Sequence, residues 1–173
     1  MKSFSISPQS PASPEAFETL DALLDICFGP GRLTRTAERL REDNQRIADY
    51  DRMAFNDEGT LVGAISFWPV MIEETPGLLL GPLAVHPDMQ GIGVGQALMQ
   101  NALAEINAER FAFTVLVGDL PYYEKAGFAP APKNVCLPGP VDPARLLLRP
   151  SSDAHAADCA RLAGMVRRAP ELC

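Results

Sequence analysis

The residues best suited to chemistry form a glycine-rich loop that follows an apolar run ending at Val85. Gln90 to Gly95 reads Gln-Gly-Ile-Gly-Val-Gly. Glycines let backbone N–H groups approach a phosphate closely, and a helix that begins there adds unpaired donors and the positive end of its dipole. The loop therefore predicts an anion site, which Gly91, Gly93 and Gly95 allow a phosphate to approach closely.

A strand and a helix must position this loop. Leu78 to Val85 is an apolar run interrupted by Gly81-Pro82, which predicts a buried strand with a distortion in its middle. Gly95 to about Glu109 has helical periodicity, and Phe111 to Val117 predicts the next buried strand. The predicted apolar face of the helix consists of Met99, Ala102, Leu103 and Ile106.

A dinucleotide-binding fold also places glycines at a strand-to-helix turn, and Asp119 could imitate its ribose-binding acid. The spacing disagrees, because the glycines run G-x-G-x-G and the residues from His86 to Gln90 separate them from the strand. The glycines also follow several earlier elements. The pattern therefore disfavours a nicotinamide-type cofactor.

Two motifs carry a family resemblance. Gln90-x-x-Gly93-x-Gly95 resembles the acetyl-CoA signature Q/R-x-x-G-x-G/A of the GCN5-related N-acetyltransferases (GNAT), and Tyr122 to Phe128 resembles their Y-E-K-x-G-F segment. Leu80 to Pro87 and Leu116 to Asp119 are similar to the YhbS-like subgroup of predicted acetyltransferases. The resemblance implies an α/β GNAT fold: a central mixed, mostly antiparallel sheet with splayed fourth and fifth strands and flanking helices.

The resemblance also implies a site for acetyl-CoA. The pantetheine arm would lie along the fourth strand at Leu83, Ala84 and Val85, and the pyrophosphate on the loop from Gln90 to Gly95. Many relatives carry a basic side chain inside this loop, whereas this chain has Gly91 and Ile92 there. Binding would therefore depend on backbone donors and the helix dipole.

Tyr123 corresponds to the tyrosine of the family's closing motif, which lies near the cofactor sulfur. The resemblance implies that it protonates the leaving thiolate as a general acid. The backbone N–H of Val85 would stabilise the oxyanion. The general base stays open among Glu73, Glu74, His86 and Asp119, because Leu78 to Val85 contains no acid.

The implied reaction transfers an acetyl group from acetyl-CoA to a primary amine of a small molecule or peptide by direct attack, without a metal. The missing acid on the fourth strand leaves a second hypothesis, a non-catalytic acyl-CoA-binding module. A homodimer is left open.

Composition limits the class of protein. The chain has 173 residues, of which 47% are hydrophobic, so we expect a single domain over residues 1–173, with residues 151–173 a possible irregular extension. A net charge of -7 without Lys/Arg runs disfavours nucleic-acid binding.

The cysteines lack metal-ligand spacing and are predicted to be reduced thiols. No signal segment or long apolar run occurs, which predicts a cytoplasmic protein without membrane spans.

The remaining elements are predicted from local signals. Phe4 and Ile6 indicate a short first strand, and Ser13 is the expected N-cap of a helix that ends at Gly29 to Gly31. The other predictions are a second helix from about Thr34 to Asp43, a hairpin of Arg52–Phe55 and Leu61–Ile72 turning at Asn56 to Gly59, a short helix from Leu120 to Lys125 capped by Gly127, and a final strand from Ala144 to Leu148.

Overall fold

The computed structural model describes residues 2–7 and 14–173, so the predicted N-cap Ser13 lies outside the described residues. The chain divides into two compact units. The first comprises Met1–Leu33, Ile47–Phe67 and Gly81–Glu105, and the second Thr34–Arg46, Trp68–Leu80 and Ile106–Cys173.

The helices are α1 (Pro14–Phe28), α2 (Val94–Ala104), α3 (Leu120–Tyr123) and α4 (Ala156–Cys159). The strands are β1 (Phe4–Ser7), β2 (Arg52–Asn56), β3 (Leu61–Ile72), β4 (Thr75–Val85), β5 (Phe113–Val117), β6 (Ala129–Pro130), β7 (Val135–Cys136), β8 (Leu146–Pro150) and β9 (Gly164–Arg168). Strands β3 and β4 contribute residues to both units.

In the first unit, β1, β2 and β3 pair antiparallel in that order. The predicted hairpin turn is present, because the Asn56 side chain accepts the N–H groups of Glu58 and Thr60 and Gly59 adopts φ 75°. Helix α1 buries leucines at helical spacing against this sheet. This core contains Leu20, Leu23, Leu24, Met53, Leu61, Ala64 and Ala84.

In the second unit, β4 pairs parallel with β5, and β5 pairs antiparallel with β8. Strand β8 pairs antiparallel with β6, while β9 pairs antiparallel with β3 and parallel with β7. The sheet is therefore mixed and mostly antiparallel, with flanking helices, which confirms the predicted α/β class. The β4–β5 ladder ends at Leu79 and Val115, just before the cis peptide bond of Gly81-Pro82.

The prediction of a second helix from Thr34 to Asp43 is wrong. The segment forms 3-10 turns over Pro30–Thr34 and Thr36–Leu40, because Arg35 between them is extended (φ -72°, ψ 146°). Asp43 then adopts φ 51°, which a right-handed helix does not allow. Leu40 in this segment is buried, with 1% of its surface exposed.

Helix α2 and strand β8 also have bounds that differ from the predicted ones. Helix α2 ends at Ala104 rather than near Glu109, because Asn107 forms a turn in which its side-chain oxygen accepts the N–H of Glu109. Strand β8 starts at Leu146 rather than Ala144, since Asp142 caps a 3-10 turn before it by accepting the N–H of Ala144.

The segment 151–173, predicted as a possible irregular extension, contains the one-turn helix α4 and the sheet strand β9. Arg168 ties β9 to the Thr34–Arg46 segment through a 2.8 Å hydrogen bond from Nη1 to the Glu42 carbonyl. Strand β8 is therefore not the final strand of the described chain. Among the described helices, none has the length and hydropathy of a bilayer span.

Candidate active site

The loop after β4 is held at its first residue, His86. The His86 N–H donates to the Val62 carbonyl on β3 at 2.8 Å, and the His86 Nδ1 accepts the Asp88 N–H at 3.2 Å. The 3-10 turn Pro87–Met89 follows, with the Met89 side chain buried. These contacts give the segment between strand and glycines a defined path.

The hydrogen bond from the His86 N–H to the Val62 carbonyl shows which way the backbone groups at the end of β4 point. Since the His86 N–H points toward β3, strand alternation turns the N–H and C=O groups of Val85 and Leu83 toward the other edge. The Ala84 side chain is buried in the α1 core. Leu83 and Val85 also lie beyond Leu79, where the described parallel ladder ends. This edge can hydrogen-bond an extended ligand.

Two side chains converge on the carbonyl of Val85. Gln90 Nε2 donates to it at 3.2 Å, and the Cys27 thiol from α1 donates to it at 3.3 Å. Burial raises the pKa of Cys27, which keeps this thiol in its protonated, donating form. Cys27 was not predicted as a site residue, because a contact between positions so distant in the chain has no local signal.

The glycines of the loop have the backbone geometry of an anion site. Gly91 and Gly93 adopt φ 78° and φ 91°, and an added Cβ at either position would meet nothing within 4 Å. The glycines are therefore required by conformation rather than by contact with the protein. Ile92 between them is 41% exposed, so this side of the loop faces open space.

Helix α2 begins directly behind these glycines. Gly93 is its N-cap, and the Gly93 carbonyl accepts the Ala97 N–H at 3.0 Å. The N–H groups of Val94 and Gly95 precede this bond and cannot find acceptors within the helix. Val94 is buried and anchors the first turn. The loop and the helix start together offer an anion several N–H donors and a positive dipole end.

Tyr123 belongs to the second unit, and its ring lies against Gly118. A Cβ on Gly118 would come within 2.3 Å of this ring, so only glycine permits the packing. The ring also makes edge contacts with Tyr122 and Phe128, at centroid distances of 5.0 and 6.0 Å. Gly127 ends the segment in the left-handed conformation at φ 84°, as predicted.

The surroundings of Tyr123 keep its phenol protonated. Burial, and to a lesser extent Tyr122 and Asp119, raise the pKa of Tyr123 to about 12. Asp119 itself forms a 3.1 Å ion pair with Arg145. Gly118 and Arg145 were not predicted as site residues. The Leu116 to Asp119 motif contained a signal for Gly118, whereas Arg145 lies far along the chain.

The candidate bases have different surroundings. Glu73 lies in the turn between β3 and β4 with φ 51°, and its carbonyl accepts from Arg167. His86 has its Nδ1 occupied by the Asp88 N–H, and Asp119 is paired with Arg145. Neither Glu73 nor Glu74 shows a resolved contact that would identify it as a base. Within residues 2–7 and 14–173, no cluster of three or more His, Cys, Asp or Glu side chains could hold a metal.

Comparison with known proteins shows which family this part of the chain is similar to. Residues 48–130 match the family model described as the acetyltransferase (GNAT) domain. This match includes β4, the glycine loop, α2 and the Tyr122–Phe128 motif, so this part of the chain is similar to the GNAT acetyltransferases.

Among individual proteins, the chain is similar to YhbS of Escherichia coli strain K12, an uncharacterized N-acetyltransferase. The two are 31% identical over 111 residues, a stretch that covers 63% of this chain and 65% of YhbS. The crystal structure of E. coli YhbS in complex with CoA has a TM-score of 0.74 at 23% identity, covering 97% of this chain and 89% of that one. This similarity confirms the GNAT fold.

A GNAT acetyltransferase from Brucella melitensis, solved in complex with acetyl-CoA, is 27% identical with a TM-score of 0.58. That comparison covers 73% of this chain and 83% of the Brucella chain.

Proposed function

We propose that this protein transfers an acetyl group from acetyl-CoA to a primary amine of a small molecule or peptide. The observation that carries the proposal is the open glycine loop, with positive φ at Gly91 and Gly93, at the N-terminus of α2 and directly after β4. The YhbS and Brucella structures, solved with CoA and with acetyl-CoA, support it.

The chain's own residues fit this donor. The N–H groups of Gly91, Ile92, Gly93, Val94 and Gly95 would hold the pyrophosphate, and Gln90 would keep the loop against the end of β4. The N–H and C=O groups of Leu83 would pair with the pantetheine amides as an added strand does, because the Val85 carbonyl is already bonded to Gln90 and Cys27. The Ala84 side chain, buried in the α1 core, would fix the strand beneath them.

The chemistry requires a site for negative charge on the acetyl oxygen and on the departing sulfur. When bound, acetyl-CoA supplies an acetyl group already activated as a thioester. The Val85 N–H would donate to the acetyl oxygen as the amine attacks, and the Gln90 and Cys27 bonds to the Val85 carbonyl would restrain the strand end.

Tyr123 would act as the general acid. Its pKa of about 12 means that the phenol enters the reaction protonated. That pKa exceeds the value of about 8.5 for a free thiol. The phenol is therefore a weaker acid than the departing thiol. It stabilises the developing thiolate by a charge-assisted hydrogen bond, and any proton that it passes to the sulfur is replaced by the proton that the attacking amine loses.

Calorimetric titration with acetyl-CoA, followed by product identification against a library of amines, tests the proposal. We expect saturable binding and at least one acetylated amine. Tyr123→Phe should lower kcat by about 100-fold with nearly unchanged acetyl-CoA affinity. A folded protein that shows no binding at millimolar acetyl-CoA would refute the proposed function.

A second candidate is a non-catalytic acyl-CoA-binding module. The observations that favour it are the missing acid between Leu78 and Val85, the occupied Nδ1 of His86 and the ion pair of Asp119. This candidate predicts binding of acetyl-CoA without turnover on any amine. Steady product formation with one physiological amine would exclude it.

We further propose that residues 1–173 act as one N-acetyltransferase domain, to which β9 in the C-terminal segment belongs. A cytoplasmic location is supported by the cysteines, all four of which are free thiols. Whether the protein forms a homodimer is untested and stays a prediction.

A further inference from the structure

The candidate phosphate loop carries no cation of its own. Between His86 and Gly95 the only acidic or basic side chains are His86 and Asp88. The Asp88 carboxylate is 79% exposed and lies 3.8 Å from the His86 ring nitrogen. An unopposed carboxylate on this loop would repel a pyrophosphate. A cation from elsewhere in the chain would offset that repulsion.

Lys2 supplies a cation at this loop. Its Nζ donates a hydrogen bond to the backbone carbonyl of Asp88. Lys2 lies two residues before β1, which is fixed by four register pairs with β2. The Ser3 hydroxyl also bonds to the Asp57 carboxylate. Residues 2–7 are therefore held in the first unit, and Lys2 places its ammonium group at the Asp88 carbonyl.

The chemistry of the ammonium group suits a phosphate ligand. A lysine ammonium has three N–H donors, of which the Asp88 carbonyl uses one. Lys2 is exposed, so the remaining donors can turn toward a ligand on the loop. Asp88 precedes the first glycine of the loop by three residues, and the screening length at physiological ionic strength is about 8 Å, so the ammonium charge would favour an anion held at that end of the loop.

We infer that Lys2 binds a phosphate group of the acyl-CoA donor, and that it replaces from the start of the chain the basic side chain missing inside the loop. The inference rests on the proposed function, because it assumes that the loop receives acyl-CoA. The phosphate bound is either the pyrophosphate or the 3′-phosphate of the donor, which share the same anion chemistry.

The experiment compares the acetyl-CoA Kd of wild type, Lys2→Gln, Lys2→Arg and Lys133→Gln by calorimetry at low and high salt. Lys133 is exposed in the second unit, and its replacement changes the net charge equally. We expect Lys2→Gln to raise Kd about fivefold at low salt, with a smaller effect at high salt. Lys2→Arg should restore most of the affinity, and Lys133→Gln should match wild type.

A repeat with 3′-dephospho-acetyl-CoA identifies the phosphate. If the effect of Lys2→Gln disappears with this donor, Lys2 binds the 3′-phosphate, and if it persists, Lys2 binds the pyrophosphate. Equal Kd values for wild type and Lys2→Gln at low salt would overturn the inference while leaving the proposed function intact. Failure of wild type to bind acetyl-CoA would instead overturn both.

Discussion

Replacing Gly93 with alanine tests whether the candidate loop depends on its backbone conformation. Gly93 has φ 91° and ψ 4° at the N-cap of α2, and a Cβ there would meet nothing within 4 Å. The substitution therefore changes conformational preference without creating a clash. We expect Gly93→Ala to destabilise the loop and to weaken acetyl-CoA binding.

The magnitude follows from opposing effects on the folded and unfolded chains. A left-handed backbone costs a non-glycine residue about 1–2 kcal/mol. Alanine also lowers the conformational entropy of the unfolded chain, which stabilises the folded state by about 0.4–1 kcal/mol. The net loss in unfolding free energy should be about 1 kcal/mol, or roughly 2–4 °C in Tm for a chain of this size. If the loop of the Gly93→Ala variant relaxes in the absence of ligand, part of the binding free energy is used to restore its conformation. The Kd for acetyl-CoA should therefore rise about fivefold.

Two other glycines provide matched controls, since a Cβ on Gly31 or on Gly59 would also meet nothing within 4 Å. Gly31 has no positive φ, so Gly31→Ala should leave stability unchanged or slightly raised. Gly59 has φ 75° in the β2–β3 turn, so Gly59→Ala should cost about 1 kcal/mol without changing Kd. Urea unfolding and calorimetric titration measure the two quantities.

Two results would refute this reasoning. If Gly93→Ala is no less stable than Gly31→Ala, the positive φ does not constrain the loop. If Gly59→Ala raises the Kd as much as Gly93→Ala does, the loss of binding reflects general destabilisation and not the loop.

Other predictions follow from the surroundings of Tyr123 and Val85. The unfolded chain loses the Tyr123 proton near pH 10, whereas the folded chain holds it to about pH 12. The free energy of unfolding should thus fall by up to about 2.7 kcal/mol as the pH rises from about 10 to about 12. In Tyr123→Phe, this part of the fall should be absent when urea unfolding is measured at each pH. Gly118→Ala should displace the Tyr123 ring, lowering both Tm and kcat; unchanged values would mean that the ring does not need glycine there. Cys27→Ala should lower kcat more than Cys27→Ser, which keeps a donor for the Val85 carbonyl; equal kcat values would argue against that restraint.

The features that the sequence predicted well depend on short-range signals. The β2–β3 hairpin follows from Asn56 and Gly59, whose turn conformations are local properties. The left-handed cap at Gly127 and the glycine loop at the start of α2 were predictable for the same reason. In each case a glycine at a fixed offset determines the backbone path, and few tertiary contacts are needed to select it.

The mispredicted segments are those in which tertiary contacts outweigh local propensity. Thr34 to Asp43 has a helical pattern of polar and apolar residues, yet Thr36 donates to the Pro140 carbonyl at 2.7 Å and Arg41 stacks over Trp68. These distant partners favour separate 3-10 turns over a continuous helix. Strand β9 was equally unpredictable, because its pairing with β3 joins residues almost a hundred positions apart.

The same distinction divides the candidate site. The loop from Gln90 to Gly95 is encoded locally. Lys2, from before β1, and Cys27, from α1, instead bond to the backbone carbonyls of Asp88 and Val85, which precede that loop. A motif can therefore specify the backbone donors but not the charge beside them. Because the affinity for a phosphate ligand depends on the backbone donors and on the neighbouring charge, the sequence motif alone does not predict the affinity for the acyl-CoA donor. If the Lys2 variants change the Kd as expected, relatives that share the motif but lack an equivalent lysine should bind acyl-CoA with a different dependence on salt.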